Sequence, residues 1–305
     1  MSDGIQIEQP AGETAPNGLA ERLFTHPRAI LWAGVGLLVL CGWVYVGLMV
    51  VDMVSRTDMA EAGPGMSVFN HFSDWAELGD LGRELIRSIC GPIQSLAAGQ
   101  GWTFTDAALV FAMWTAMTIA MMVPTAAPMI TAYAEIGQTA RRKGITIVPT
   151  AVLIAGYLSV WLVFCMAATL AQWALSQASL MTPGLVLGST ILAGGLLISA
   201  GLYQFSSLKV MCLTKCRTPL PFFMANWSDR FTGVFRMGAY QGVVCVMCCW
   251  ALMLVMFAVG LMNVIWMAAL AVIMAMEKIL PNPKLLVRGT GAALILAGTA
   301  LLVTQ

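Results

Sequence analysis

Between Lys143 and Lys209 the chain carries no charged residue, and none lies between Arg236 and Glu277. A helix needs about 20 apolar residues to cross the hydrocarbon of a bilayer. Each stretch is therefore read as two crossings joined by a short turn. The first breaks at SQASLMTPG, residues 176–184, and the second near Gly260–Asn263. Further apolar runs at 29–51, 106–133 and 287–304 bring the expectation to about seven spans. A membrane barrel would show alternating segments of about ten residues, and none is visible. Only 10% of the residues are charged, against roughly 25% in soluble domains. The expected fold class is all-α, a polytopic transmembrane helix bundle. Its first partner is the lipid bilayer, and a net charge of +1 offers nothing to nucleic acid.

The basic residues orient the bundle. With the N-terminus in the cytoplasm, Arg22, Arg28, Arg141, Arg142, Lys143, Lys209, Lys215, Arg217, Arg230, Arg236, Lys278, Lys284 and Arg288 fall on one side, leaving Arg56, Arg83 and Arg87 on the other. That asymmetry is the positive-inside pattern. The expected organisation is a disordered cytoplasmic tail (1–28), a first transmembrane helix (29–51), an acidic extracytoplasmic segment with amphipathic helices (52–105) and a six-helix metal-binding membrane domain (106–304). The outer segment holds Asp52, Asp58, Glu61, Asp74, Glu77, Asp80 and Glu84. It also has apolar residues at helical spacing, from Phe72 through Trp75, Leu78, Leu81 and Leu85 to Ile89. His71 beside Asp74 is either a metal-uptake ligand or a plain surface histidine, and Cys90 is alone there.

Sulfur is the unusual chemistry of this chain. In MWTAMTIAMMVPTAAPM, residues 113–129, Met113, Met117 and Met121 recur at i, i+4 and i+8 and form one stripe on a helix. Thioethers either fill core gaps or ligate a soft metal. In CVMCCW, residues 245–250, Cys245, Cys248 and Cys249 share one helix face, which Met253 and Met256 continue. Neighbours at that spacing have Cβ atoms about 5–6 Å apart, too far for a disulfide at roughly 3.8 Å. The cluster is therefore a metal or redox site, or small apolar packing.

Cys248 lies 12 residues from Arg236, and Met117 lies 11 from Asp106. At ~1.5 Å per residue these are about 18 and 16 Å, near the midplane of a ~30 Å core. Sulfur without histidine favours Cu(I); zinc or iron are the alternatives. Pro124 and Pro128 free the carbonyls of Ala120 and Pro124 near the stripe, as in broken helices that line ion sites, or as a plain kink.

A second pair, Cys212 and Cys216, sits among Lys209, Lys215 and Arg217 on the cytoplasmic side. It is expected to be an exposed metal-transfer or redox point. Glu277 is a candidate metal ligand or an interfacially solvated end group. Asn263 and Trp266 are expected to make an ordinary contact between helices. No phosphate-binding Gly-rich loop, HExxH or CxxCH is present, which excludes ATP use, zinc-protease chemistry and attached haem by those motifs.

MWTAMTIAMMVPT, AGLYQFSSLKVMCLTKCRTP, GVVCVMCCWALM and GLMNVIWMAALAVIMAMEK, in this order over about residues 100–280, resemble the bacterial family of predicted metal-binding integral membrane proteins of unknown function. The resemblance implies a multi-helix protein of the bacterial inner membrane that binds metal, copper first. It bears on Met113, Trp114, Met117, Met121, Met122, Pro124, Lys209, Cys212, Cys216, Cys245, Cys248, Cys249, Trp250 and Glu277.

The leading expectation is copper handling through Met113, Met117, Met121, Cys245, Cys248 and Cys249, with Cys212 and Cys216 exchanging copper with cytoplasmic carriers. A partner protein on either face is expected. The rivals are a membrane subunit of a metal-dependent monooxygenase acting on small hydrophobic molecules, and a structural or assembly subunit.

Overall fold

The computed structural model describes residues 27–54, 58–76, 102–182 and 184–304. The tail 1–26, most of the helical pattern from Trp75 to Ile89, and Cys90 lie outside the described residues. The chain divides into two compact units, Met1–Leu37 and Leu38–Gln305, and the second contains all of the thiol and methionine motifs.

The elements are α1 (Pro27–Val54), two 3₁₀ segments (Met59–Ala62 and Met66–Ala76), α2 (Phe104–Thr125), α3 (Ala127–Arg142), α4 (Thr150–Gln177), α5 (Thr190–Gln204), α6 (Ser207–Arg217), α7 (Leu220–Ala225), α8 (Phe231–Val259), α9 (Val264–Ile279) and α10 (Lys284–Val303). Among the described residues there is no strand beyond one isolated bridge, Met181 to Leu187. In hydrocarbon every backbone group must be satisfied within the protein, which leaves helices as the economical answer for such sequences.

Five helices are long and apolar enough to cross a membrane: α1 from Ala29, α2, α4, α8 and α10. A sixth span exists if α5 and α6, bent by 63°, count as one. The expected sixth span is α9, and its 16 residues reach about 24 Å at ~1.5 Å per residue, short of a full crossing, whereas the expected last span, 287–304, is the membrane-length α10. The second apolar run of the Lys143–Lys209 stretch is thus a broken helix. Ser206 ends one arm and caps the next by accepting from the Lys209 amide at 3.1 Å.

Two helix pairs approach through glycine. On α4 and α8, a Cβ at Gly156 would sit 2.1 Å from the Phe235 carbonyl oxygen, and one at Gly238 would sit 2.0 Å from that of Leu153. On α5 and α10, Gly201 faces the Gly291 carbonyl and Gly194 faces that of Gly298. Lipid gives no hydrophobic drive between helices, so backbone approach through small residues supplies the packing. Gly195 faces open space and tests the contrast. Gly195→Ala should raise thermal stability by about 0.5–1 kcal/mol, the cost of a mid-helix glycine, measured by thermal unfolding in detergent.

Most of the 52–105 segment, where amphipathic helices are expected, lies outside the described residues. Residues 59–76 are 3₁₀, interrupted by Gly63 at φ 114°. Its anchors are Met59, Ala62 and Met66, each fully buried. The close approach requires glycine on both sides: a Cβ at Gly63 would lie 2.0 Å from the Val259 carbonyl, and one at Gly260, φ 109°, 2.2 Å from that of Ala62. Asn263 locks the turn. Its Nδ2 donates to the Pro64 and Val259 carbonyls at 3.0 and 3.1 Å, and its Oδ1 caps α9 at the Trp266 amide. The expected helix–helix contact of Asn263 is therefore a cap and a loop tether. Asp58 caps the first 3₁₀ segment. The Ala60 backbone amide and the Asn70 side chain, both donating to its carboxylate, hold it below the usual carboxylate pKa.

Candidate metal centre

The glycine seam between α4 and α8 fixes the site. With Gly156 pressed on α8, the next residue, Tyr157, brings its hydroxyl 3.0 Å from Cys245 Sγ and 3.2 Å from the Met122 carbonyl. Cys245, Cys248 and Cys249 share the buried side of α8, each 1% exposed or less. The bend between α5 and α6 carries Cys216 to them, with its Sγ 3.8 Å from Cys248 Sγ. The sulfurs of Cys216, Cys245 and Cys248 all lie within 4.8 Å of one another. A trigonal site with metal–sulfur bonds of about 2.3 Å, the zinc value, needs sulfurs about 4.0 Å apart. The three thiols fit that with small movements. Cys249 Sγ sits 3.2 Å from Cys248 Sγ, beside the group.

Cys212 and Cys216 are not an exposed transfer point. Both are buried, at 6% and 9% exposure, because α6 turns inward after the bend instead of lying in a loop. Cys212 lies one turn before Cys216 and outside the thiol group.

Two lysines enter this interior. Lys278 Nζ donates to Thr125 Oγ1 at 2.7 Å and to Cys245 Sγ at 3.0 Å. Its ammonium meets a sulfur rather than a carboxylate, and a thiolate, the form that ligates metal, is the matching charge. Lys209 Nζ donates to Glu277 Oε2 at 2.6 Å and to the Cys248 carbonyl at 2.7 Å. Glu277 is fully buried, which overturns interfacial solvation. It does not join the thiol group, and its Oε1 has no partner. Arg217 fastens the end of α9 by donating to the carbonyls of Lys278, Leu280 and Pro281.

The methionine stripe is buried throughout: Met113, Met117 and Met121 are 1% exposed or less. Trp114 stacks at a tilt on Phe257, centroids 5.4 Å apart, and donates from Nε1 to Gln172 Oε1 at 2.9 Å. Farther along α2, the Met122 carbonyl reaches Cys245 through Tyr157. These two ties run α2 antiparallel to α8, so Met117 and Met121 lie at heights between Phe257 and Cys245. Pro124 sits inside α2 and the helix stops at Thr125. The break puts the Met122 carbonyl and the Thr125 hydroxyl against the thiol site. His71 is exposed, and the side chain of Asp74 lies outside the described residues.

Sequence reading missed Tyr157 and the role of Lys278. Tyr157 carries no motif, and only its place after the packing glycine Gly156 marks it. Lys278 was legible as one of two ionisable neighbours in an apolar helix, but its burial depends on α2 ending opposite it.

An all-α protein with membrane-length helices and a buried, all-thiol metal site is the class these features define. The family model PpoB2, described as copper chaperone, matches residues 111–301, and the chain belongs to that family. No curated protein and no solved structure matches it. The family and the thiol group together support copper-related metal binding. The monooxygenase alternative gains no support: among the described residues the group able to hold a metal is three thiols, without histidine or carboxylate.

Proposed function

We propose that the protein carries Cu(I) as cargo on the thiolates of Cys216, Cys245 and Cys248, inside the cytoplasmic membrane of a bacterium, and hands it to a partner protein. The observation that carries this reading is the approach of three buried sulfurs within 4.8 Å, one of them from a different helix. Thiolates select soft Cu(I) over hard cations. Cu(I) on three thiolates bears two negative charges, one of which Lys278 offsets at Cys245; with Cys216 released, the remaining two-thiolate complex bears a single negative charge that Lys278 matches. The third sulfur, Cys216, sits on α6 beyond the bend, so movement of that arm would lower the coordination number and loosen the ion. Met113, Met117 and Met121, with Met253 on α8, provide weaker thioether ligands between the outer segment and the thiols. Cargo that enters from the outer side would move down this ladder toward tighter ligands.

Elemental analysis of purified, copper-replete protein tests the reading against a Cys216/Cys245/Cys248→Ser triple variant. Stoichiometric copper in the wild type and near none in the variant is the expected result. Zinc in place of copper would overturn the choice of metal, and equal metal in both proteins would overturn the site.

A further inference from the structure

Away from the thiols, the end of α5, one side of α6 down to its last residue and the start of α10 line a cavity of about 270 Å3. Arg217, Lys284 and Arg288 line it, and its lining holds no carboxylate. Gln204 also lines it. This side chain is 1% exposed, yet neither its Nε2 nor its Oε1 has a hydrogen-bond partner. Buried amides are rarely left so. A water would satisfy the amide but not three cations in one wall. The amide asks for an acceptor and a donor together, and the cations ask for negative charge. A phosphate diester carrying a hydroxylated headgroup supplies all of these: phosphate oxygens for Nε2 and the cations, a hydroxyl for Oε1. The first turn of α10 adds the positive end of a 20-residue helix.

Apart from Thr214, the remaining wall is apolar, with Phe205, Leu213 and Val287. Leu285, beside Lys284 at the start of the α10 span, is 85% exposed. A ligand whose charged head fills the cavity can therefore run its chains along the outer face of α10. We infer that this cavity binds the phosphate headgroup of an anionic phospholipid with a hydroxylated headgroup. The site is separate from the metal centre, although Arg217 directly follows Cys216 in the chain.

Delipidated full-length protein in detergent, titrated with dihexanoylphosphatidylglycerol, dihexanoylphosphatidylcholine and glycerol phosphate and read by native mass spectrometry, tests this. The phosphatidylglycerol should bind at least about tenfold tighter than the phosphatidylcholine. Gln204→Leu and the double variant Lys284→Gln/Arg288→Gln should each weaken it by about tenfold, the scale of one charge-assisted hydrogen bond. Copper content and thermal unfolding should remain those of the wild type. Lys284 and Arg288 are exposed, so the double variant carries the test if Gln204→Leu folds poorly. Equal binding of both lipids, or unchanged phosphatidylglycerol binding by the double variant, would overturn the site. Glycerol phosphate binding as tightly as the lipid would overturn the membrane source of the phosphate.

Discussion

Replacing Cys216 by Ser should weaken Cu(I) binding by more than about 100-fold, while Cys212→Ser leaves it unchanged. The two residues lie one helical turn apart on α6 and are both buried, so removal of a buried thiol as such is controlled for. Of the two, Cys216 is the one that comes within 4.8 Å of both Cys245 and Cys248. Losing an outer-shell partner alone costs metal sites about 10–100-fold, and a lost ligand costs more. Competition with a chromophoric Cu(I) chelator measures the change. Cys249→Ser separates this ligand set from the one drawn from α8 alone. If Cys249→Ser removes copper and Cys216→Ser does not, the metal sits on the helix face of Cys245, Cys248 and Cys249, and α6 has no part in holding it.

That contrast also measures what the sequence could convey. Residues 245–249 advertise themselves, because three cysteines on one face is a local pattern and the helical period alone reveals it. Cys216 does not. Its place depends on a 63° bend after Gln204, which arises from a cap at Ser206 and from packing, and nothing in LKVMCLTKCR separates an inward helix from a basic loop. The positive charges around the pair argued for solvent, yet Lys209 and Arg217 both turn inward, one to Glu277 and one to the backbone carbonyls that follow α9. Long uncharged runs specify helix and membrane because water and lipid enforce the rule everywhere along them. The sixth expected span falls short in length, not in hydropathy: α9 is apolar but begins only after the Gly260–Asn263 turn, which packs against the 59–66 segment. Met59 and Met66, buried in that segment, had no periodic neighbours to mark them.

The site depends on how closely its helices approach: Gly156 and Gly238 set the spacing of α4 and α8. Tyr157 then reaches Cys245, and the Pro124 break ends α2 where Thr125 can meet Lys278. The tyrosine hydroxyl and the Lys278 ammonium therefore flank one sulfur, Cys245 Sγ, at 3.0 Å each and without a carboxylate between them, while Thr125 accepts from the same ammonium. The arrangement suits a thiolate at Cys245, the charge that a buried ammonium without a carboxylate matches.

Glu277→Gln should destabilise the protein by about 3–5 kcal/mol, and so should Lys209→Met, because either change leaves one buried charge without its counterpart. Both side chains are fully buried and joined at 2.6 Å, and Glu277 Oε1 is already without a hydrogen-bond partner, so neither survivor keeps a hydrogen-bonded counterion. The double variant Lys209→Met/Glu277→Leu should recover most of the loss, since an apolar pair of similar volume often replaces a buried ion pair at no cost. Thermal unfolding in detergent of the four proteins closes the cycle. Single variants within about 1 kcal/mol of the wild type, in the range of exposed pairs, would mean that the pair is solvated and the interior wetter than the structure has it. Copper affinity adds the second reading. Lys209 also holds the Cys248 carbonyl at 2.7 Å, so the stable double variant should still lose about tenfold in Cu(I) affinity, the cost of an outer-shell partner. Unchanged affinity would confine Lys209 and Glu277 to holding α6 against α9, and leave Lys278 as the cation that answers the thiolates.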